Sequence, residues 1–137
     1  RSSDLGDERL KNVHPVLRAV IVETSRRMNA PFTVIEGLRT PERQAQLVTL
    51  GFSKTQNSLH LRQRTGYAHA ADLWPLDEDA GQPLRSGTPA LEAVLWDRLR
   101  EIAAVMKEVA REMGVNLEWG GDWGWDAPHF QLNRNAY

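Results

Sequence analysis

The sequence predicts an α+β fold in which a small antiparallel sheet packs against about three helices. Two long segments repeat apolar residues at helical spacing, short β-rich runs lie between them, and two strand-like runs lie close together near the end. This order of elements favours helices packed against an antiparallel sheet. A chain of 137 residues without an internal repeat or a linker has the length of one domain. We therefore predict a single domain over residues 1–137, with an irregular lead-in over residues 1–13.

The first half of the chain predicts two helices separated by a strand. Apolar residues recur at helical spacing from about His14 to Asn29, which indicates a helix with one buried face. The run "APFTVIEG" is typical of a short strand. In "TPERQAQLVTLG", Thr40 is suited to the N-cap of a second helix and Gly51 to the position just after its end.

The second half predicts three strands and the longest helix. The run "YAHAADLW" can form a strand in which His69 and Asp72 face opposite sides of the sheet. Thr88 precedes a long amphipathic helix that ends at Gly114. The runs "VNLEWGG" and "PHFQL" predict two final strands, separated by a loop rich in Gly, Trp and Asp.

The composition excludes several classes of site and partner. The chain has no Cys, which excludes disulfides, thiolate metal sites and a cysteine nucleophile. Its net charge of −1 gives no general attraction to nucleic acid, and no apolar run approaches the roughly 18 residues that a membrane span needs. No signal peptide is visible. We expect a monomer that neither binds nucleic acid nor inserts into a membrane.

Four polar residues from two distant segments form a candidate metal site. A catalytic zinc needs three protein ligands and an open position for water, and a nearby carboxylate can then take a proton from that water. The sequence offers His60, Asp72 and His129 as ligands, with Asp126 as the carboxylate. The alternative is that each is an ordinary surface or hydrogen-bonded residue.

Several motifs together resemble a known family. "NSLHL" and "HAADLWP", followed far downstream by "EWGGDW" and "DAPHFQL", resemble the VanY-like zinc peptidases. That family comprises D-alanyl-D-alanine carboxypeptidases and the L-alanyl-D-glutamate endopeptidases that serve as phage endolysins. "VHPVL" and "IEGLRTPERQAQLV" are similar to the endopeptidase branch, so the resemblance covers most of the chain. It implies a fold like those of hedgehog proteins and D-Ala-D-Ala peptidases.

The resemblance also implies a role for each matched residue. It makes Zn²⁺ the cofactor and Asp126 the general base that activates water and later protonates the leaving amine. It assigns Arg39, in "GLRT", to substrate binding or to stabilisation of the oxyanion, and Ser58 to substrate contact or to orientation of the site. The metal ligands that it implies are His60, Asp72 and His129.

One spacing departs from the family pattern. The family places its first histidine ligand about seven residues before the aspartate, whereas His60 and Asp72 are twelve residues apart. Either the segment after His60 carries about five extra residues and His60 still reaches the metal, or His69 replaces it. A site that cannot hold metal is the third alternative. In the inserted loop over residues 61–68, we expect Arg62 and Arg64 to be exposed, because they are long, polar and close to a turn at Gly66.

The function implied by the resemblance is zinc-dependent cleavage of the peptidoglycan stem peptide, between L-Ala and D-Glu. A D-alanyl-D-alanine carboxypeptidase and a catalytically degenerate wall-binding module are the alternatives. Trp123 and its neighbour Trp125 lie beside the proposed catalytic loop, where they could line a peptide groove. The substrate implies action on the cell wall, in the periplasm or outside the cell. Without a visible signal peptide, we expect the protein to stay in the cytoplasm until a holin-type release.

Overall fold

The structure, a computed structural model, describes residues 5–29, 31–53, 55 and 57–137. Four strands form one antiparallel sheet in the order β1-β2-β4-β3, and helices pack against it. The predicted α+β class is therefore confirmed, and the described residues form four α-helices where about three were predicted. In chain order the elements are α1 (Asp7–Leu10), α2 (Pro15–Arg27), β1 (Phe32–Glu36), α3 (Pro41–Thr49), β2 (Ala70–Pro75), α4 (Pro89–Met113), β3 (Leu117–Trp119), a short 3-10 helix (Gly120–Trp123) and β4 (His129–Leu132).

Side-chain caps begin the three longer helices. The hydroxyl of Thr40 accepts a hydrogen bond from the Arg43 amide at 3.0 Å, and that of Thr88 accepts from the Leu91 amide at 3.2 Å. These caps satisfy amide groups that have no partner inside the helix. His14 caps α2 in the same way, since its Nδ1 accepts from the Val16 amide at 3.2 Å. The predicted helix starts are confirmed.

The prediction of an irregular lead-in is wrong for residues 7–10, which form α1. Leu5, Leu10 and Val13 are all buried in the core, where α1 packs against β1. Gly6, at φ 92°, allows the chain before α1 to lie close to β1, because a Cβ there would lie 2.7 Å from the carbonyl oxygen of Val34. Three apolar residues in a polar segment gave too little periodicity to predict this helix. The prediction for residues 1–4 lies outside the described residues.

The hydrophobic core lies between one face of the sheet and the helices α2 and α4. Strands β2 and β4 contribute alternate side chains to it, because successive residues of a strand point to opposite faces. The largest fully buried apolar side chains of this core include Leu17, Ile21, Phe32, Leu73, Leu99, Ile102, Met106, Phe130 and Leu132.

No helix in the described ranges is long and apolar enough to cross a bilayer.

The opposite face of the sheet carries a row of polar side chains. Glu36 on β1 is in register with Asp72 on β2, which is in register with His129 on β4. Residues that are directly opposite on antiparallel strands share a face. Two positions along β4, Gln131 is in register with Glu118 on β3. The sheet therefore brings polar residues from all four strands to one surface, away from the core.

Candidate metal centre and active site

Three predicted ligands meet on the polar face of the sheet. His60, Asp72 and His129 each offer one ligand atom, and these atoms lie within 4.8 Å of one another. Asp72 Oδ1 is 3.2 Å from His60 Nε2 and 3.2 Å from His129 Nδ1. The two histidines are only 2% and 8% exposed. This group could hold a metal ion.

The hydrogen bond of His60 to the backbone determines which of its ring nitrogens faces the cluster. His60 Nδ1 lies 2.9 Å from the carbonyl oxygen of Gly37, which can only accept. Nδ1 therefore carries the proton when the ring is neutral, and Nε2 presents its lone pair toward Asp72. A second contact holds the two segments together, since the Arg39 amide donates to the His60 carbonyl at 2.7 Å.

The side chain of Gln131 determines which ring nitrogen of His129 faces the cluster, and here it is Nδ1. His129 Nε2 lies 2.8 Å from Gln131 Oε1, and the amide nitrogen of Gln131 is 2.9 Å from Glu118 Oε1. Nε2 therefore donates to Gln131, and Nδ1 of the neutral ring has its lone pair toward Asp72. When both rings are neutral, three electron-pair donors therefore converge without a proton between them. Such an arrangement favours a cation at its centre, as in metal sites whose histidines are oriented by outer hydrogen bonds.

The pKa shifts show that this cluster attracts positive charge. Burial alone would raise the pKa of the Asp72 carboxyl, but the charges and hydrogen bonds of His60 and His129 hold it well below its usual range. Burial alone would lower the pKa of His129, yet the hydrogen bond and charge of Asp72 raise it, with help from Gln131 and Asp126. A bound cation would take the place of the proton that these groups favour on His129.

Asp126 lies at the edge of the cluster. Its Oδ2 is 4.0 Å from His129 Nδ1, and its side chain is 32% exposed. The turn before β4 fixes this position, because the His129 amide donates to the Asp126 carbonyl at 3.1 Å, and a side chain at Gly120 would collide with that carbonyl. Burial raises the pKa of the Asp126 carboxyl, although the charges of His129 and other cations oppose it. Asp126 therefore lies beside the His60, Asp72 and His129 group as a partly buried carboxyl that is not one of its three donors.

Arg39 is near the cluster but is held by other groups. One guanidinium nitrogen donates to Glu36 Oε1 at 2.6 Å and the other to Gln44 Oε1 at 2.7 Å. The first also lies 3.9 Å from Asp72 Oδ2, and the side chain is only 9% exposed. Its Nε has no hydrogen-bond partner among the described residues. The structure therefore places a fixed positive charge beside Asp72.

The other two predicted site residues flank the histidines. Ser58 Oγ accepts a hydrogen bond from the His60 amide at 3.1 Å, so Ser58 shapes the turn that presents His60. The ring of Trp123 lies 5.5 Å from the ring of His129 and is 43% exposed. Trp125, 70% exposed, lies 6.0 Å from Trp123. The two indoles leave an accessible aromatic surface beside the candidate site.

His69 lies outside this group of residues. Its Nε2 is 2.7 Å from the Thr65 hydroxyl, and its ring packs 5.1 Å from that of His14. The structure therefore brings His60, and not His69, to Asp72 across the longer spacing. The intervening loop is anchored at both ends, since the His69 amide donates to the Leu59 carbonyl and Leu59 is buried.

Four polar residues that support the site were missed by sequence reasoning. Glu36 and Gln44 hold Arg39, while Glu118 and Gln131 orient His129. Gln131 could have been found, because it follows a predicted ligand by two positions in a predicted strand and so must share its face. The others depend on strand pairing and on the packing of α3, for which the sequence carries no local signal.

The fold and the site together define a class: an α+β domain whose sheet carries a largely buried His-Asp-His group beside a further carboxylate. Comparison with known proteins makes the class specific. The family model described as phage L-alanyl-D-glutamate peptidase matches residues 1–134. The chain belongs to this family, and the predicted family is confirmed.

Two relatives support this membership. An L-alanyl-D-glutamate peptidase of Listeria phage A118 is 32% identical over 106 residues, which make up 76% of this chain and 31% of the phage protein. The chain thus spans about a third of that relative's length. The crystal structure of the Serratia marcescens L-Ala D-Glu endopeptidase ChiX is similar with a TM-score of 0.78 and 39% identity, covering 97% of this chain and 90% of that one.

Proposed function

We propose that this chain is a zinc-dependent endopeptidase that cleaves the L-Ala–D-Glu bond in the stem peptides of bacterial peptidoglycan. The observation that carries the proposal is the convergence of His60 Nε2, Asp72 Oδ1 and His129 Nδ1 in a member of this family. Two imidazoles and one carboxylate are a donor set that suits catalytic zinc, with a further position left for water or substrate. The proposed place of action is the cell wall.

Each residue of the site has a separate role in the proposed reaction. Zinc held by His60, Asp72 and His129 would polarise the scissile carbonyl and lower the pKa of a water molecule. Asp126, outside the ligand group but 4.0 Å from His129, accepts a proton from the attacking water and delivers it to the leaving amine. In the metal-free protein, burial raises the pKa of the Asp126 carboxyl, which favours the protonated form. Arg39 supplies fixed positive charge for the developing oxyanion, and Trp123 lines the peptide groove.

Product analysis tests the proposed bond. Purified Gram-negative muropeptides would be incubated with the zinc-loaded chain and the products identified by mass spectrometry. We expect products with a new amino terminus on D-Glu and a new carboxyl terminus on L-Ala. Release of free D-Ala instead would identify a carboxypeptidase, and binding to the wall without any cleavage would identify a binding module. Either result would reject the proposal.

Zinc affinity should fall as the pH is lowered. His129 binds metal only when Nδ1 is free of a proton, and its pKa lies above the ordinary histidine value. Protons therefore begin to compete at a pH higher than usual, and below that pKa the affinity should drop by about tenfold per pH unit. Competition with a chelator at several pH values between about 8 and 6 measures this. An affinity that stays constant down to the ordinary histidine pKa would contradict the raised pKa.

Removing the two charges of the loop over residues 61–68 should change zinc binding little. Arg62 and Arg64 are exposed, and the guanidinium of Arg62 donates to the Gly66 carbonyl within the same loop. Replacing both with Gln should leave zinc content and thermal stability unchanged, while KM for an acidic stem peptide rises by less than about fivefold and less still at high salt. Steady-state kinetics and metal analysis check this. Loss of zinc would show that the loop tip supports the site.

A further inference from the structure

We propose that Gln131 and Glu118 are positioning residues that fix which nitrogen of His129 is presented to the metal. The inference rests on the proposed metal site and goes beyond its ligands. Neither residue belongs to the His60, Asp72 and His129 group, and the hydrogen bonds link them to that group through His129.

Neighbouring strands form the relay, by which we mean the hydrogen bonds from His129 through Gln131 to Glu118. His129 and Gln131 lie two positions apart on β4 and therefore share a face, and Gln131 is in register with Glu118 on β3. His129 and Gln131 are only 8% and 7% exposed, so water competes little for their hydrogen bonds. The contacts run from His129 Nε2 to Gln131 Oε1 at 2.8 Å, and from Gln131 Nε2 to Glu118 Oε1 at 2.9 Å.

The chemistry of the outer residue sets the direction of the relay. A carboxylate only accepts hydrogen bonds, so Glu118 draws the NH₂ group of Gln131 toward itself. The carbonyl oxygen of the Gln131 amide must then face His129, where it accepts a hydrogen bond from the Nε2–H group. Asn133 Nδ2 donates to the second oxygen of Glu118 at 2.6 Å, so both carboxylate oxygens are engaged. The Gln131 amide therefore has one favourable orientation.

The consequence for His129 is a single neutral tautomer. A free imidazole exchanges its proton between the two nitrogens, and the wrong tautomer would direct an N–H group at the cation. His60 meets the same requirement through the backbone carbonyl of Gly37, which no substitution removes. For His129 the requirement is met by a side chain, so it can be tested by mutation. Loss of such an outer partner typically weakens metal binding 10–100-fold.

The test compares two variants of the full chain. Gln131→Met keeps the length of the side chain but removes the acceptor, so the zinc Kd should rise about 10–100-fold in competition with a chromophoric chelator. The double variant Glu118→Gln with Gln131→Glu reverses the relay: the new carboxylate on β4 accepts from His129 Nε2 and from the amide introduced on β3. Its zinc Kd should lie within about threefold of wild type. Gln46→Met, at an exposed position of α3, is the control for the introduced methionine.

Each outcome decides the matter. Zinc-free melting temperatures of all variants separate packing from positioning, because a residue that only packs would tolerate methionine and leave the zinc Kd unchanged. An unchanged Kd for Gln131→Met would overturn the inference, as would a well-folded double variant that binds as weakly as the single one. If Gln131→Met does not fold, a folded double variant that binds zinc more than about tenfold more weakly than wild type would still overturn the inference. Wild-type protein that binds zinc without cleaving stem peptides would reject the proposed function only, whereas wild type without zinc affinity would reject both.

Discussion

Substitution of His60 by Ala should abolish stoichiometric zinc binding and, with it, peptide cleavage. His60 Nε2 lies 3.2 Å from Asp72 Oδ1, and its removal leaves only two protein donors in the group. Because loss of an outer hydrogen-bond partner already costs 10–100-fold in affinity, loss of a ligand should weaken zinc binding by more than about 100-fold. Metal analysis after gel filtration, together with a cleavage assay, measures both effects.

His69→Ala is the matched control, because it removes the histidine that competes with His60 for the ligand role in the sequence. His69 bonds to Thr65 and packs against His14, away from Asp72. We expect this variant to keep one zinc per chain and most of its activity. Retention of zinc by the His60 variant and its loss from the His69 variant would reverse the ligand assignment.

Substitution of Asp126 by Asn should leave zinc bound, unlike substitution of His60, but most of the turnover should be lost. The amide has nearly the shape of the carboxylate but cannot accept the proton of the attacking water. General-base contributions are typically about 10²–10⁴-fold, so kcat should fall by that factor while zinc content stays at one per chain. Stopped assays with a synthetic stem peptide and metal analysis of the same sample measure both quantities.

Asp122→Asn in the same loop provides the comparison for Asp126. Asp122 is exposed and pairs with Lys107 at 2.7 Å, so its loss removes a surface ion pair and should change kcat little. Turnover near the wild-type rate in the Asp126 variant would assign Asp126 to the structure of the turn. An equal fall in both variants would point to the loop's conformation rather than to proton transfer.

Much of the fold could be predicted because its elements carry strong local signals. Thr88 and Gly114 mark the ends of α4, and both ends agree with the structure to within a residue. The strands that carry Asp72 and His129 were also predicted, but β2 begins at Ala70, so His69 lies before the strand and not on it. The helix α1 was missed because its stability comes from packing of Leu10 against the core, and a four-residue helix has too little periodicity to be recognised.

The site was predictable where it depends on residue type and motif. His60 and Asp72 were predicted to meet in spite of their spacing, and the structure brings them together because the ends of the intervening loop are anchored. Which partners hold Arg39 could not be predicted, because Gln44 reaches it only through the packing of α3. The same holds for Glu118, which reaches Gln131 only through the register of β3 and β4.

The most direct test of the central claim is an anomalous difference map from crystals of the zinc-loaded protein, recorded at the zinc absorption edge. The account predicts one strong peak per chain at about 2.0–2.2 Å from His60 Nε2, Asp72 Oδ1 and His129 Nδ1. Asp126 should lie close to this peak without bonding to it. A peak bound by His69, a peak contacting His129 through Nε2, or no peak on this face of the sheet would contradict the account.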